Sequence, residues 1–294
     1  MGPHPAIFFL SDYGNADEFV GVVHAVVHRL APSVPVIDLS HEVVPFDIAA
    51  GAAMLARAVP SLGPGVVLAV VDPGVGSKRR PIAVRSDGDG PDWLVGPDNG
   101  LLIEACEALG GPAAAFALDP QRLLPPWAGK GTGPTFDGRD VFAPAASHLA
   151  SGGDPLTIGS AVGAETLVVL DPRSPGSGPT SAIDGSAVSA PVTWIDRYGN
   201  VQLDLLPSDL DEIGVDATGL VQVSLASDPD TGSVLARRVW AFSDLRVGEF
   251  GLLVDGNGRV ALVLDRASAA SRLIGTGARV GVVVRIMAAD ESFG

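Results

Sequence analysis

Val66-Val67-Leu68-Ala69-Val70-Val71-Asp72-Pro73-Gly74-Val75-Gly76-Ser77-Lys78-Arg79-Arg80-Pro81-Ile82-Ala83-Val84 decides the reading of the fold. A hydrophobic run, Val66 to Val71, stops at a carboxylate. A Pro/Gly turn and two arginines follow, and a second apolar run starts at Pro81. The pattern is strand, loop, strand, with Asp72 at the carboxyl end of a buried strand. In open α/β sheets that edge is where ligands bind. Gly74 and Gly76 permit a sharp turn or a close approach to the backbone. The loop can fold Asp72 and Arg79 back toward each other. A carboxylate beside a guanidinium can stay ionised and orient a polar nucleophile such as water. A strand-end turn with solvated charges is the plainer alternative.

Outward from this segment, strands alternate with helices. Ala6–Leu10 reads as a first strand, ending in the polar loop Ser11-Asp12-Tyr13-Gly14-Asn15. Residues 17–30 show helical spacing of Phe19, Val22, Val23, Val26, Val27 and Leu30, closed by Pro32. Val34–Leu39 is a second strand, and residues 47–59 form an Ala-rich helix with Asp47 as N-cap. Short strands at 82–85 and 93–95 flank an acidic segment, 85–92. That segment lacks the spacing and closing Glu of a calcium loop and reads as a polar hairpin. Helices are expected over 101–109 and 140–150, with a strand over 113–118. The alternation predicts an α/β domain, residues 1–170, with a mostly parallel sheet covered on both faces. Residues 171–191, rich in Pro, Gly and Ser, read as a linker. Beyond them come strand-like runs at 192–195, 201–205, 220–225, 239–242, 250–254, 260–264 and 280–286, with one helix at 267–273. This predicts a smaller all-β, barrel-like domain over 192–294.

Composition narrows the function classes. The chain has 294 residues, 47% hydrophobic but only 5% aromatic, so Val, Ala and Leu must build the core. The formal charge is −15 with no basic stripe, which argues against nucleic-acid binding. Cys106 is the single cysteine, so no intrachain disulfide or CxxC metal site is possible. The first residues lack a signal-peptide pattern, and no apolar run reaches membrane-spanning length. A cytoplasmic protein is expected, with no membrane partner. His24 and His28 stand at i, i+4 on a helix, but no third ligand is evident nearby, so no metal site is assigned. His41 follows a strand and can approach the crevice; His148 reads as structural.

Three constellations can carry chemistry. Asp12, with Tyr13, ends strand one at the same sheet edge as Asp72 if the two strands are parallel; it can bind ligand or cap the next helix. Thr135-Phe136-Asp137-Gly138-Arg139-Asp140 precedes a helix. There Phe136 can stack on a flat ring, and Asp137 or Asp140 can simply cap. Asp196-Arg197-Tyr198-Gly199-Asn200 lies between two strands. Asp196, Tyr198 and Asn200 can face a ligand, or form an ordinary hairpin turn.

Taken in order, these pieces resemble the S-adenosyl-L-methionine hydroxide adenosyltransferase family, relatives of fluorinating and chlorinating enzymes that attack the same substrate. The matching stretches are Leu10-Ser11-Asp12-Tyr13-Gly14, Asp38-Leu39-Ser40-His41-Glu42, Val71-Asp72-Pro73-Gly74-Val75-Gly76, Val95-Gly96-Pro97-Asp98-Asn99-Gly100, Thr135 to Asp140 and Asp196 to Asn200. The resemblance implies a homotrimer whose sites lie between the first domain of one subunit and the second of its neighbour. It implies that water attacks ribose C5′ and expels methionine, leaving adenosine. No cofactor or metal is implied, because the sulfonium is already a good leaving group. Asp72 and Arg79 would orient the water, assisted by Asp137; Asp12 would hold the ribose hydroxyls; Asp196 and Asn200 would hold methionine or ribose. The halogenating relatives carry Tyr and Thr where this chain has Asp72 and Val75, and Gly138 replaces a Ser that contacts fluoride. These differences favour hydrolysis. One departure stands out: the hydrolases usually have His where this chain has Asp137. An adenosyl-ligand binder without turnover, or a halogenase, are the alternatives. Asp255-Gly256 and Asp265 also differ from the usual Asn-Ser and Asn.

Overall fold

The computed structural model describes residues 6–124, 135–170, 181–227, 233–273 and 280–289. The chain divides into two compact units, Met1–Leu170 and Asp171–Gly294.

The first unit holds a seven-stranded sheet. Its strands are β1 (Ala6–Ser11), β2 (Val36–Ser40), β3 (Gly65–Val70), β4 (Pro81–Ser86), β5 (Trp93–Pro97), β6 (Pro112–Leu118) and β7 (Gly159–Val162). They lie in the order β2-β1-β3-β5-β4-β6-β7. The pairings β1–β2, β1–β3 and β3–β5 are parallel. Those of β4 with β5 and β6, and of β6 with β7, are antiparallel. The sheet is therefore mostly parallel in strand direction, as the alternating pattern predicts.

Side chains alternate across each strand, so a strand buried on both faces feeds two cores. Ile7 and Phe9 of β1, with Val66 and Leu68 of β3, pack on one face with Val23, Val26 and Val27. Those three valines come from α1 (Phe19–Leu30). Phe8 and Leu10, with Val67 and Ala69, pack on the other face with Ala52, Leu55 and Cys106. These belong to α2 (Ile48–Ala58) and α3 (Ile103–Ala108). The near-continuous apolar runs in the sequence are the consequence. Segment 85–92 closes the β4–β5 hairpin, as expected, with Ser86 N–H donating to Asp92 O at 3.1 Å.

The helix expected from Asp140 is divided. A wide π-helical turn, Gly138–Phe142, precedes the regular helix Ala143–Ala150, which carries Pro144 in its first turn. Proline lacks an N–H, so the regular hydrogen-bond ladder begins after it. Such wide turns recur at functional sites.

In the second unit β8 (Ala182–Asp184), β9 (Ala187–Ile195), β10 (Val201–Leu203), β11 (Leu220–Leu225), β12 (Val234–Arg238), β13 (Phe250–Val254), β14 (Val260–Leu264) and β15 (Val283–Ala288) form one sheet. Its order is β10-β14-β13-β12-β11-β15-β9-β8, and an added β10–β9 pairing closes seven of the strands into a barrel. Only β12–β13 is parallel. Val188, Val192, Leu203, Val223, Leu252, Leu262 and Ile286 meet in the barrel core.

Three sequence expectations change here. Of the stretch 171–191 read as linker, residues 171–180 lie outside the described residues; 182–191 hold β8 and the start of β9, whose Ala, Val and Ser residues pair with β15. Val239–Phe242, expected as a strand, is loop and turn, with strand pairing one step earlier in β12. A short helix, Pro207–Glu212, was not signalled by periodicity, being under two turns long.

Asp47 caps α2 as expected, accepting from Ala50 N–H at 2.9 Å. Asp47→Ala should lower stability by about 1 kcal/mol, measured as a shift in urea midpoint with unchanged m-value. No shift would show the cap to be dispensable.

Candidate functional site

β1 and β3 are parallel neighbours with Ser11 opposite Val70, so Asp12 and Asp72 leave the sheet at the same edge. A cavity of about 250 Å³ opens there, lined by Asp12, Tyr13, Phe46, Asp72, Phe136 and Asp137 among others.

The loop after β3 brings Asp72 and Arg79 together. Arg79 Nε donates to Asp72 Oδ1 at 3.1 Å, and Nη2 donates to Oδ2. The same Nη2 donates to Asp137 Oδ2 at 2.6 Å. One guanidinium thus bridges two carboxylates, the farther of which, Asp137, lies 58 positions from Arg79 in sequence. The side chains of Arg79 and Asp72 are only 7% and 6% exposed, and that of Asp137 20%. The Arg79 guanidinium also lies 5.2 Å from the Phe142 ring centroid. Burial raises the Asp72 carboxyl above the ordinary aspartate range. Arg79 opposes that rise by charge and hydrogen bonding, and the Asp137 charge adds to it.

The loop is braced from both sides. Asn99 Nδ2 donates to Val71 O at 2.9 Å, next to Asp72. Gly76 adopts φ +74°, where a side chain is strained. The neighbouring Arg80 faces elsewhere: its Nε donates to the buried Asp98 at 2.8 Å. Of the two adjacent arginines, Arg79 serves the pocket and Arg80 the scaffold.

Tyr13 and Phe136 form a wall with Phe19. Tyr13 and Phe136 meet edge to face at 5.7 Å, and Phe19 and Phe136 at 5.1 Å. Arg139 lies 5.3 Å from the Phe136 centroid while paired with Asp140, Nε to Oδ1 at 2.7 Å. Burial first, then the charges of Asp12, Asp72 and Asp137, push the Tyr13 phenol above its ordinary range despite Arg79. Tyr13 is therefore a neutral hydroxyl. A Cβ built on Gly138 would sit 2.2 Å from the Tyr13 hydroxyl, so glycine is what lets the phenol lie there.

Asp12 caps no helix. Its Oδ2 accepts from Phe46 N–H at 2.9 Å, and α1 begins after Glu18. Phe46 is a residue the sequence did not flag. It has φ +68°, is 72% exposed and lines the cavity. An aromatic held in the left-handed region is unusual and typical of functional loops. Its position between Pro45 and the Asp47 cap was the available signal. His41 does not reach the cavity. Its ring is buried behind Ser11, with Nδ1 2.8 Å from Ser11 Oγ. His148 is held by Thr157 Oγ1 at 3.1 Å.

Asp196, Tyr198 and Asn200 form the β9–β10 hairpin of the second unit. Asp196 Oδ1 accepts from Tyr198 N–H and Asn200 N–H, both at 2.9 Å, and Oδ2 accepts from Asn200 Nδ2 at 2.8 Å. The carboxylate thus shapes the turn and fixes the Asn200 amide, while Tyr198 is 72% exposed.

Residues 7–159 match the SAM hydroxide adenosyltransferase N-terminal domain, and residues 190–281 match the corresponding C-terminal domain. A protein of Salinispora tropica named (R)-S-adenosyl-L-methionine hydrolase is 42% identical over 273 residues, spanning 93% of this chain and 95% of its own. A Thermus thermophilus protein of the same name is 44% identical over 204 residues, 68% of this chain and 74% of its own. A fluorinase of Actinoplanes sp. is more distant, 25% identical over 72% of this chain and 75% of its own. An uncharacterized conserved protein from Thermotoga maritima superposes with TM-score 0.82 at 29% identity, covering 96% of this chain and 99% of its own.

Arg79→Met should leave Asp72 and Asp137 facing each other without a counter-charge. Stability near neutral pH should fall by about 3–5 kcal/mol. With the guanidinium gone, the folded-state pKa of Asp72 rises further above its unfolded value. Folded protein then binds the proton more tightly, so stability returns as pH falls through that raised pKa. Urea unfolding of the variant at neutral and acidic pH measures this; a deficit that grows on acidification would contradict it.

Proposed function

The chain belongs to the SAM hydroxide adenosyltransferase family, and on that premise we propose that it hydrolyses S-adenosyl-L-methionine to adenosine and L-methionine. The observation that carries this reading is the Arg79 guanidinium shared by Asp72 and Asp137 at the cavity wall. With both carboxylates ionised the group is net negative, and Asp12 adds a further carboxylate. Such a site attracts a cationic sulfonium and disfavours halide.

In the proposed reaction a water oxygen attacks C5′ while the C5′–S bond breaks. The bonding pair passes to sulfur, which leaves as the neutral thioether of methionine. The water gives up one proton, and Asp72 is its acceptor, with Asp137 assisting. A raised carboxyl pKa brings the acceptor nearer to the working range of a base. Arg79 holds both carboxylates in place, so the water meets a preorganised site. Asp12 takes the ribose hydroxyls, and Tyr13 and Phe136 form an apolar flank that limits competing water. No cofactor enters, because the sulfonium needs no further activation.

The cavity of about 250 Å³ is smaller than the ~300–1,000 Å³ usual for ligands of this size. In the proposed assembly, a homotrimer as the family resemblance implies, the second domain of a neighbouring subunit completes the site through Asp196, Tyr198 and Asn200. The proposed setting is cytoplasmic, where S-adenosylmethionine is available. Among the described residues no helix is long and apolar enough to cross a membrane.

Incubation with S-adenosylmethionine, with and without chloride, followed by chromatography, should give adenosine and methionine in equal amounts irrespective of chloride. Asp72→Asn should lower the rate roughly 100- to 10,000-fold. Binding without product would make the chain an adenosyl-ligand binder that lost turnover at Asp137. A 5′-chloro product would make it a halogenase.

The acidic limb of kcat/KM should lie above the ordinary aspartate range, since activity requires ionised Asp72. Asp137→Asn removes a negative neighbour and makes Asp72 easier to ionise. The limb should therefore move to lower pH; an unchanged or upward-moving limb would exclude Asp72 as the titrating group.

A further inference from the structure

Away from the cavity, the first domain brings His24, Asp38 and His41 to one point. His24 Nε2 lies 2.8 Å from Asp38 Oδ1, and His41 Nε2 lies 3.1 Å from the same oxygen. The three ligand atoms all lie within 4.8 Å of one another. We propose that these residues form a binding site for a divalent transition metal of the zinc type, with two imidazoles, one carboxylate and water as ligands.

The set has the right chemistry. Zinc takes His nitrogen and carboxylate oxygen at ~2.0–2.2 Å in tetrahedral geometry, and three protein ligands with an open fourth position are common. That bond length sets ligand atoms about 3.3 Å apart, near the 2.8 and 3.1 Å by which the two histidine nitrogens approach Asp38 Oδ1. The ligands come from different elements, α1 for His24, β2 for Asp38 and the following loop for His41. A metal would therefore tie the helix to the edge strand.

His41 is preset for coordination. Its side chain is 3% exposed, and its Nδ1 meets the fully buried Ser11 Oγ at 2.8 Å. With Nδ1 protonated and donating to the Ser11 hydroxyl, the ring's lone pair would lie on Nε2, the arrangement that outer-layer partners of metal-bound histidines enforce. That Nε2 is buried, with Asp38 Oδ1 at 3.1 Å as its polar neighbour. The Phe9 ring packs edge-on against His41 at 4.5 Å and forms an apolar floor. His24 and Asp38 are 35% and 42% exposed, which leaves the outer side open for entry and for water.

The pairing that sequence spacing suggests, His24 with His28, is not the one the fold builds. His28 lies one turn further along α1, where it lines a shallow groove with His24. The site also touches the pocket loop indirectly, since Ser11 precedes Asp12 and His41 O accepts from Gly14 N–H at 2.7 Å. Ser11 is thus a positioning residue for the metal ligand.

The test is zinc titration of the chelator-treated full chain against a competing chromophoric chelator, with cobalt substitution as a spectroscopic check. Wild type should take up one zinc per chain and, with cobalt, show the visible bands of a tetrahedral nitrogen/oxygen site. Loss of an outer-layer partner costs ~10–100-fold in metal affinity. Ser11→Ala should fall within that range, and His24→Ala or Asp38→Asn should lose more. His28→Ala should bind as wild type. His24 and Asp38 are partly exposed, so these variants should fold, and circular dichroism checks that they do. Zinc uptake unchanged in folded His24→Ala and Asp38→Asn, or affected equally by His28→Ala, or no uptake by wild type, would overturn the proposal. Since the readout is metal binding, failure of the hydrolase reading would leave it intact.

Discussion

One guanidinium, Arg79, keeps two carboxylates together in a space that water scarcely reaches. Without it Asp72 and Asp137 would repel, and one of them would take up a proton. Its own position depends on the rest of the domain. β3 delivers Asp72 to the sheet edge, the Gly-rich loop turns Arg79 back, and the wide turn at Gly138–Phe142 brings Asp137 across from a distant segment. Phe142 lies under the guanidinium, and Asn99 fixes the backbone at Val71. Each of these is a packing or hydrogen-bonding constraint on the same charged group.

The arrangement also suits the proposed chemistry. A sulfonium substrate is positively charged and loses that charge as the C5′–S bond breaks. The reaction then needs a placed water and a proton acceptor more than a strong electrophile. A buried carboxyl whose proton affinity is raised by burial, yet still paired with a cation, meets that need. In the proposed mechanism the N–H donors come from Arg79, and Asp137 is a second acceptor.

Much of the fold was legible because its signals are local. The apolar runs of β1 and β3, the 3.6-residue spacing of α1 and the Asp47 cap each have a cause within a few residues. So did the encounter of Asp72 with Arg79, since a short loop between buried strands leaves few other arrangements. What the sequence could not reveal depends on distance. Asp137 was grouped with Asp72 and Arg79 only through the family resemblance; its own segment carries no local sign of the contact with Nη2 of Arg79. Nothing near Phe46 shows that its N–H is held by Asp12. His24 looked like a partner for His28 because helical spacing is visible in sequence, whereas its contact with Asp38 arises from the packing of α1 on the edge strand. The run of short strands in the second domain was enough to expect a barrel-like fold, and the pairing of β9 with β10 is what closes it.

The proposed mechanism turns on where the water goes. Single-turnover hydrolysis of S-adenosylmethionine in oxygen-18 water, with mass spectrometry of both products, tests this most directly. Water attack at C5′ puts the label in the 5′-hydroxyl of adenosine and none in methionine. Label in the amino-acid product, or adenosine formed without label, would contradict attack at C5′ by a water held at Asp72 and Arg79.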